Sequence, residues 1–152
     1  MNSLYDLLKE SAQLYGKLLE LEHEKYDAII KADIKMLDDI VSKEQACYMK
    51  MRGDEQKREK LLVKLGFGDM TLREIIDLSQ GEEKTMLSDA YNELSELLKE
   101  VKKINEMCRT LIEIRLRRVD NVLSQLGETE NTYTDAEHKN SKAKSRIISQ
   151  KI

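Results

Sequence analysis

Proline and tryptophan are absent from the 152 residues, and Phe67 is the only phenylalanine. Aromatic residues make up only 5% of the chain. An all-β domain draws on aromatic and β-branched residues and on frequent turn punctuation, so this composition argues against one. Six glycines and no proline leave few places for a chain to turn, which favours long uninterrupted helices. No apolar run approaches the roughly 18 residues that a membrane span requires. The N-terminal residues Met1-Asn2-Ser3-Leu4-Tyr5-Asp6 lack the basic region and apolar core of a secretory signal, which predicts a cytoplasmic protein. The two cysteines, Cys47 and Cys108, form no Cys-x-x-Cys or Cys/His spacing. They read as small hydrophobes on helix faces, not as zinc or redox ligands. The 26 basic and 29 acidic residues leave a net charge of −3, too balanced to point to nucleic acid or to a membrane surface.

What is present is helical periodicity. Leu4, Leu7, Leu8, Leu14, Tyr15, Leu18, Leu19, Leu21, Tyr26, Ile29 and Ile30 recur at intervals of three and four, predicting a first helix over Asn2–Lys31. Asp33 is placed to cap a second, running from Ile34 to Leu65. Its stripe of Leu37, Ile40, Val41, Cys47, Tyr48, Met51, Leu61, Leu62 and Leu65 is interrupted by Glu44, Glu55 and Arg58. Glu55 and Arg58 stand three apart and can pair on one face. The polar middle reads either as a partly solvated seam or as a polar layer that fixes register or leaves room for a partner. Gly66 is a plausible C′ residue. Thr71-Leu72-Arg73-Glu74 is a capping box that opens a short helix, Leu72–Leu78.

The last helix is predicted over Glu83–Leu126, stopped by Gly127. Its stripe runs Leu87, Ala90, Leu94, Leu97, Leu98, Val101, Ile104, Cys108, Leu111, Ile112, Arg115, Val119, Val122, Leu123 and Leu126, with Asn105 and Arg115 as polar interruptions. The chain beyond it is polar at first. From Lys139 it carries five basic residues and no acidic ones. We expect residues 1–127 to form a helical bundle domain and 128–152 a flexible basic tail.

Three long stripes can bury one another. The expected architecture is an all-α, elongated, antiparallel, coiled-coil-like bundle of three long helices plus one short helix. At 1.5 Å per residue the last helix exceeds the first two by about 20 Å. Part of its stripe then lacks a partner, and Val119, Val122, Leu123 and Leu126 are the candidates for an open apolar surface. A client, the tail or a second copy of the chain could cover it.

Catalytic patterns are missing. Glu20 and His23 make one Glu-x-x-His fragment, whereas a di-iron bundle needs two fragments and two further glutamates. The other histidine, His138, lies in the tail. There is no Gly-x-Ser-x-Gly, P-loop, His-Glu-x-x-His or Gly-x-Gly-x-x-Gly. We expect no enzyme, no cofactor and no metal. Arg109, Arg115, Arg117, Arg118 and the basic tail could touch nucleic acid or an acidic protein, but acidic residues interleave elsewhere and the tail has no aromatic platform apart from Tyr133, which argues against nucleic acid. Six internal methionines, Met36, Met49, Met51, Met70, Met86 and Met107, read as core fillers, with an adaptable partner surface as the alternative.

The order of these features resembles the FlgN-type flagellar export chaperones over nearly the whole chain. The resemblance is carried by Leu7-Leu8 through Glu10, and by Lys31-Ala32-Asp33 followed by Leu37, Ile40-Val41 and Glu44-Gln45. It continues in Arg58 before Leu61-Leu62 and Leu65-Gly66, in Thr71-Leu72, and in Asn105 before Leu111-Ile112, Val119 and Leu123. Tyr133 falls at the family's tail tyrosine. Cys108 stands where the family tends to have a second asparagine, and Thr134-Asp135-Ala136-Glu137 where a glycine usually follows the tyrosine.

The resemblance implies a cytoplasmic type III export chaperone. Such a protein binds the terminal amphipathic helices of hook–filament junction proteins, prevents their premature assembly and delivers them to the export gate or ATPase complex. No cofactor, nucleic acid or membrane insertion is implied. The expected client face is Leu111, Ile112, Arg115, Val119, Val122, Leu123 and Leu126, with Tyr133 and the tail contacting the export machinery or the client. The alternative is a self-associating coiled-coil scaffold with no flagellar client, the same stripe closing a homodimer.

Overall fold

The computed structural model describes residues 2–149, with side chains described for residues 3–128. Four helices and no strand occur among the described residues: α1 (Asn2–Lys31), α2 (Ile34–Lys64), α3 (Leu72–Leu78) and α4 (Gly81–Ser149). The all-α bundle expected from the periodicity is the fold observed. The first three helices lie within a residue or two of their predicted bounds. The fourth differs. It begins at Gly81 and continues through Gly127, the predicted stop. A single glycine inside a helix costs about 1 kcal/mol relative to alanine, which a helix of this length can absorb.

The connections follow from local chemistry. At the end of α1, the amide of Ala32 donates to Ile29 O and that of Asp33 to Ala28 O, a Schellman closure with Ala32 in the left-handed region at φ 55°. Asp33 then turns the chain, its carboxylate accepting from the Met36 amide at 2.9 Å as N-cap of α2. One residue thus completes one helix end and starts the next. The same closure ends α2 around Gly66, at φ 81°, with the Phe67 amide bonded to Leu62 O at 2.8 Å. The predicted capping box is present: Glu74 N donates to Thr71 Oγ1 and Thr71 N donates to Glu74 Oε2. The amide and then the hydroxyl of Thr71 both donate to the Glu74 carboxylate and hold it below its ordinary titration range.

The chain divides into two units, the first ending at Thr110 and the second beginning at Leu111. In the first, α1 and α2 form an antiparallel hairpin, and the α4 segment runs in the same direction as α1. Lys9 pairs with Glu93 at 2.7 Å near one end, and Asn105 meets Glu22 toward the other. The core at the α1 N-terminal end gathers Leu4, Leu8, Leu62, Ile75, Ile76, Leu87 and Ala90, with Phe67, Met70 and Leu72 packed against it. The short α3 buries Ile75 and Ile76 there. The second unit, as far as its side chains are described, consists of α4 from Leu111 onward.

Candidate functional site

Further along the first unit the seam becomes polar. Leu18, Glu22, Lys25 and Ile29 follow one another at intervals of four, three and four, so Glu22 and Lys25 occupy core positions of α1. Glu22 is fully buried, and Lys25 and Glu44 nearly so. The Lys25 ammonium lies 2.7 Å from Glu44 Oε1 on α2 and 2.9 Å from Glu22 Oε2. Asn105 Nδ2 donates to Glu22 Oε1 at 3.2 Å, and the buried Cys108 thiol reaches Glu22 O at 3.6 Å. Burial opposes the charge on Lys25, but the bonds to Glu44 and Glu22 outweigh it and raise its pKa. Burial pushes Glu44 up despite the pull of Lys25, with the neighbouring Glu22 adding to the push. Burial also raises the Cys108 thiol. Two carboxylates on one ammonium join α1 to α2, and Asn105 ties α4 to the same layer through Glu22.

Beside this layer, the surface between α2 and α4 is open. One recess of about 650 Å³ is lined by Leu8, Leu14, Tyr15, Met51, Leu94 and Leu98 together with Asp54, Glu55, Arg58 and Asp69. A second, of about 420 Å³, shares Tyr15, Met51 and Leu98 and adds Leu18, Tyr48, Val101, Lys99 and Lys102. The Glu55–Arg58 pair read from the spacing is formed, and it lowers the Glu55 pKa. Burial, followed by the charge of Glu55, raises the phenol of Tyr15.

The client face expected from sequence lies in the second unit. Leu111 and Arg115 are half-buried and Ile112 is exposed. Val119, Val122, Leu123 and Leu126 are 54%, 55%, 59% and 58% exposed. Tyr133 belongs to α4, but its side chain lies outside the described residues, as do those of the basic tail. Glu20 and His23 are exposed surface residues, and no cluster of metal-binding size occurs among the described residues. None of the six internal methionines is fully buried, and Met70 packs against the core from a half-buried position. Met49 is 77% exposed, Met86 and Met107 are exposed, and Met36, Met51 and Met70 are only half-buried. Met51 and Met70 line the recess of about 650 Å³. No helix among the described residues is long and apolar enough to cross a membrane.

The family model described as FlgN protein matches residues 1–141 of the chain. A protein of Bacillus subtilis (strain 168), whose name is Uncharacterized protein YvyG, is 31% identical over 133 residues, covering 86% of this chain and 83% of that protein. No solved structure matches.

Proposed function

The chain belongs to the FlgN family of flagellar export chaperones, and from that premise we propose that it binds the terminal amphipathic helices of hook–filament junction proteins in the cytoplasm. It keeps them from premature assembly and delivers them to the export gate or ATPase complex. The observation that carries this reading is the apolar stripe of the second unit. Four aliphatic side chains within eight positions, Val119, Val122, Leu123 and Leu126, are each more than half exposed. In this reading the stripe forms one wall of the surface that receives the client helix. Leu111, Ile112 and Arg115 extend the face, and Tyr133 with the tail meets the export machinery or the client. A client segment that is disordered before docking spends part of its interaction energy on ordering, which keeps release at the gate feasible. Binding of this kind needs neither a cofactor nor a catalytic group.

Calorimetric titration of the purified chain with a hook–filament junction protein tests the proposal. Saturable binding is expected, and Val119→Asp with Leu123→Asp should abolish it while helicity is retained. Binding that survives the double substitution, or a double variant that unfolds, overturns the assignment of this face. The same exposed stripe also supports a second reading, a scaffold that pairs with itself. Light scattering separates the two, because a dimer that persists on dilution and ignores the junction protein is the scaffold's result.

A further inference from the structure

We propose that the open groove between α2 and α4 in the first unit seats a three-turn amphipathic helix of a partner protein, and holds it in one polarity. The inference rests on the reading that this chain binds amphipathic helices, but it concerns a surface separate from the stripe of the second unit.

The groove has the dimensions and the floor of a missing helix. Its two recesses share Tyr15, Met51 and Leu98 and so form one trough. On α1 the floor steps through Leu8, Ser11, Tyr15 and Leu18, the spacing of a helix face, over about 15 Å. Met51 and Tyr48 stand on the α2 side, and Leu94, Leu98 and Val101 on the α4 side. Tyr48 and Leu98 are exposed, so the trough keeps apolar surface in water. Three helices flanking an apolar trough leave the position that a fourth helix takes in a four-helix bundle. A partner with apolar anchors at i, i+4 and i+7 presents a stripe of matching length.

Charge gives the trough a direction. At the end near the loop before α3, three carboxylates line it: Asp54, Glu55 and Asp69. Arg58 answers Glu55, and Lys57 answers Asp54 at 3.0 Å, so one negative charge is in excess. At the other end Lys99 and Lys102 line it, and Glu96 answers Lys99 at 2.7 Å, leaving one positive charge in excess. A helix carries about half a positive charge at its N-terminus and half a negative charge at its C-terminus. The favoured occupant therefore points its N-terminus at Asp54, Glu55 and Asp69 and its C-terminus at Lys99 and Lys102. Basic residues in its first turn and acidic residues in its last strengthen the preference.

Two capped peptides of about 14 residues, roughly 21 Å as helix, test this. Both carry Leu, Trp and Leu anchors at i, i+4 and i+7. The matched peptide has lysines in its first turn and glutamates in its last, and the reversed peptide has the opposite order. The chain has no tryptophan, so peptide fluorescence reports binding directly. The reversed peptide is the better helix former in isolation, so intrinsic helicity cannot produce a preference for the matched one. The matched peptide should bind about fivefold more tightly at low salt. K99E with K102E should cancel or invert that preference. L98E should weaken both peptides about tenfold, and Y48E on the opposite wall should do the same, so that a fold defect in one variant cannot mimic the result. V119D with L123D should change neither peptide. No binding, equal binding of the two peptides, or indifference to both L98E and Y48E overturns the groove assignment. A junction protein that binds wild type and L98E alike, while the peptides fail, removes the groove and leaves the proposed function intact. Peptides that bind in the groove while the junction protein fails to bind remove the proposed function and leave the groove.

Discussion

Replacing Lys25 with methionine should be among the most damaging single changes in the first unit, and its cost should depend on pH. The ammonium makes short contacts to two buried carboxylates, Glu22 and Glu44. Charge-assisted hydrogen bonds contribute about 1.5–3 kcal/mol each, offset by the cost of burying the charge. Deleting the cation leaves two like charges in a space closed to water, and breaking a buried pair of this kind costs about 3–5 kcal/mol. In the wild type, the raised folded pKa of Lys25 makes its contribution fully present below its ordinary pKa and lost as pH rises through the folded value. Glu44 works in the opposite sense. Its raised pKa means that the folded state binds the proton more readily, so its burial costs stability as pH rises past the ordinary carboxylate range. Without Lys25 that second effect is unopposed. Urea unfolding followed by circular dichroism should show a wild-type-to-variant gap of about 3–5 kcal/mol near neutral pH, narrowing by at least about 1 kcal/mol near pH 5 as Glu44 protonates. The triple variant with Glu22→Leu and Glu44→Leu should recover most of the loss, since a well-packed apolar replacement is often neutral or stabilising. A gap below about 1 kcal/mol, or one that does not change with pH, would refute the account of the layer.

Backbone geometry supplies a pair of predictions with opposite signs. Ala32→Gly should stabilise the chain by about 0.5–1 kcal/mol by relieving a left-handed alanine, and Gly66→Ala should destabilise it by about 1–2 kcal/mol for the converse reason, both read as shifts in urea midpoint. Leu8→Ala, in the core where all four helices meet, should cost about 2–5 kcal/mol in the same assay. Thr71→Ala removes the cap of α3 and should cost about 1 kcal/mol.

The helices were legible because their ends are written in local chemistry. Asp33, Gly66 and the Thr71–Glu74 box each act within a few residues, and each forms as its spacing suggests. Gly127 misled for the same reason. A glycine ends a helix when the flanking sequence turns away, and here α4 continues. The polar layer was half legible. Glu44 was visible as an interruption of the α2 stripe, but Glu22 and Lys25 were hidden by the expectation that core positions are apolar. The steps from Leu18 to Glu22, Lys25 and Ile29 were the available signal. The trough between α2 and α4 was legible only as the polar break at Glu55 and Arg58 in the α2 stripe, because its walls come from helices far apart in sequence. The methionines that half-fill such surfaces look, in a linear reading, like ordinary core residues.

The stripe of the second unit admits two occupants, and its arginines distinguish them. Burial fades along α4: Ile104 and Cys108 are buried, Leu111 and Arg115 half-buried, and Val119 to Leu126 more than half exposed. Arg115, Arg117 and Arg118 lie within four positions of one another, with Glu113 and Asp120 beside them. A two-fold self-contact centred here would set one group of arginines against its copy, and such a contact should tighten as salt screens the repulsion. A client helix with acidic residues along its flank meets the same arginines favourably and should loosen with salt. Raising ionic strength from about 0.01 M to about 0.15 M shortens the screening length from about 30 Å to about 8 Å, enough to reveal the sign. Calorimetry with the junction protein at the two salt concentrations should show weaker binding at the higher one, and Arg117→Glu with Arg118→Glu should remove most of that dependence. Binding that strengthens with salt would overturn this role of the arginines, and a dimer that strengthens with salt while the junction protein fails to bind would assign the stripe to self-association.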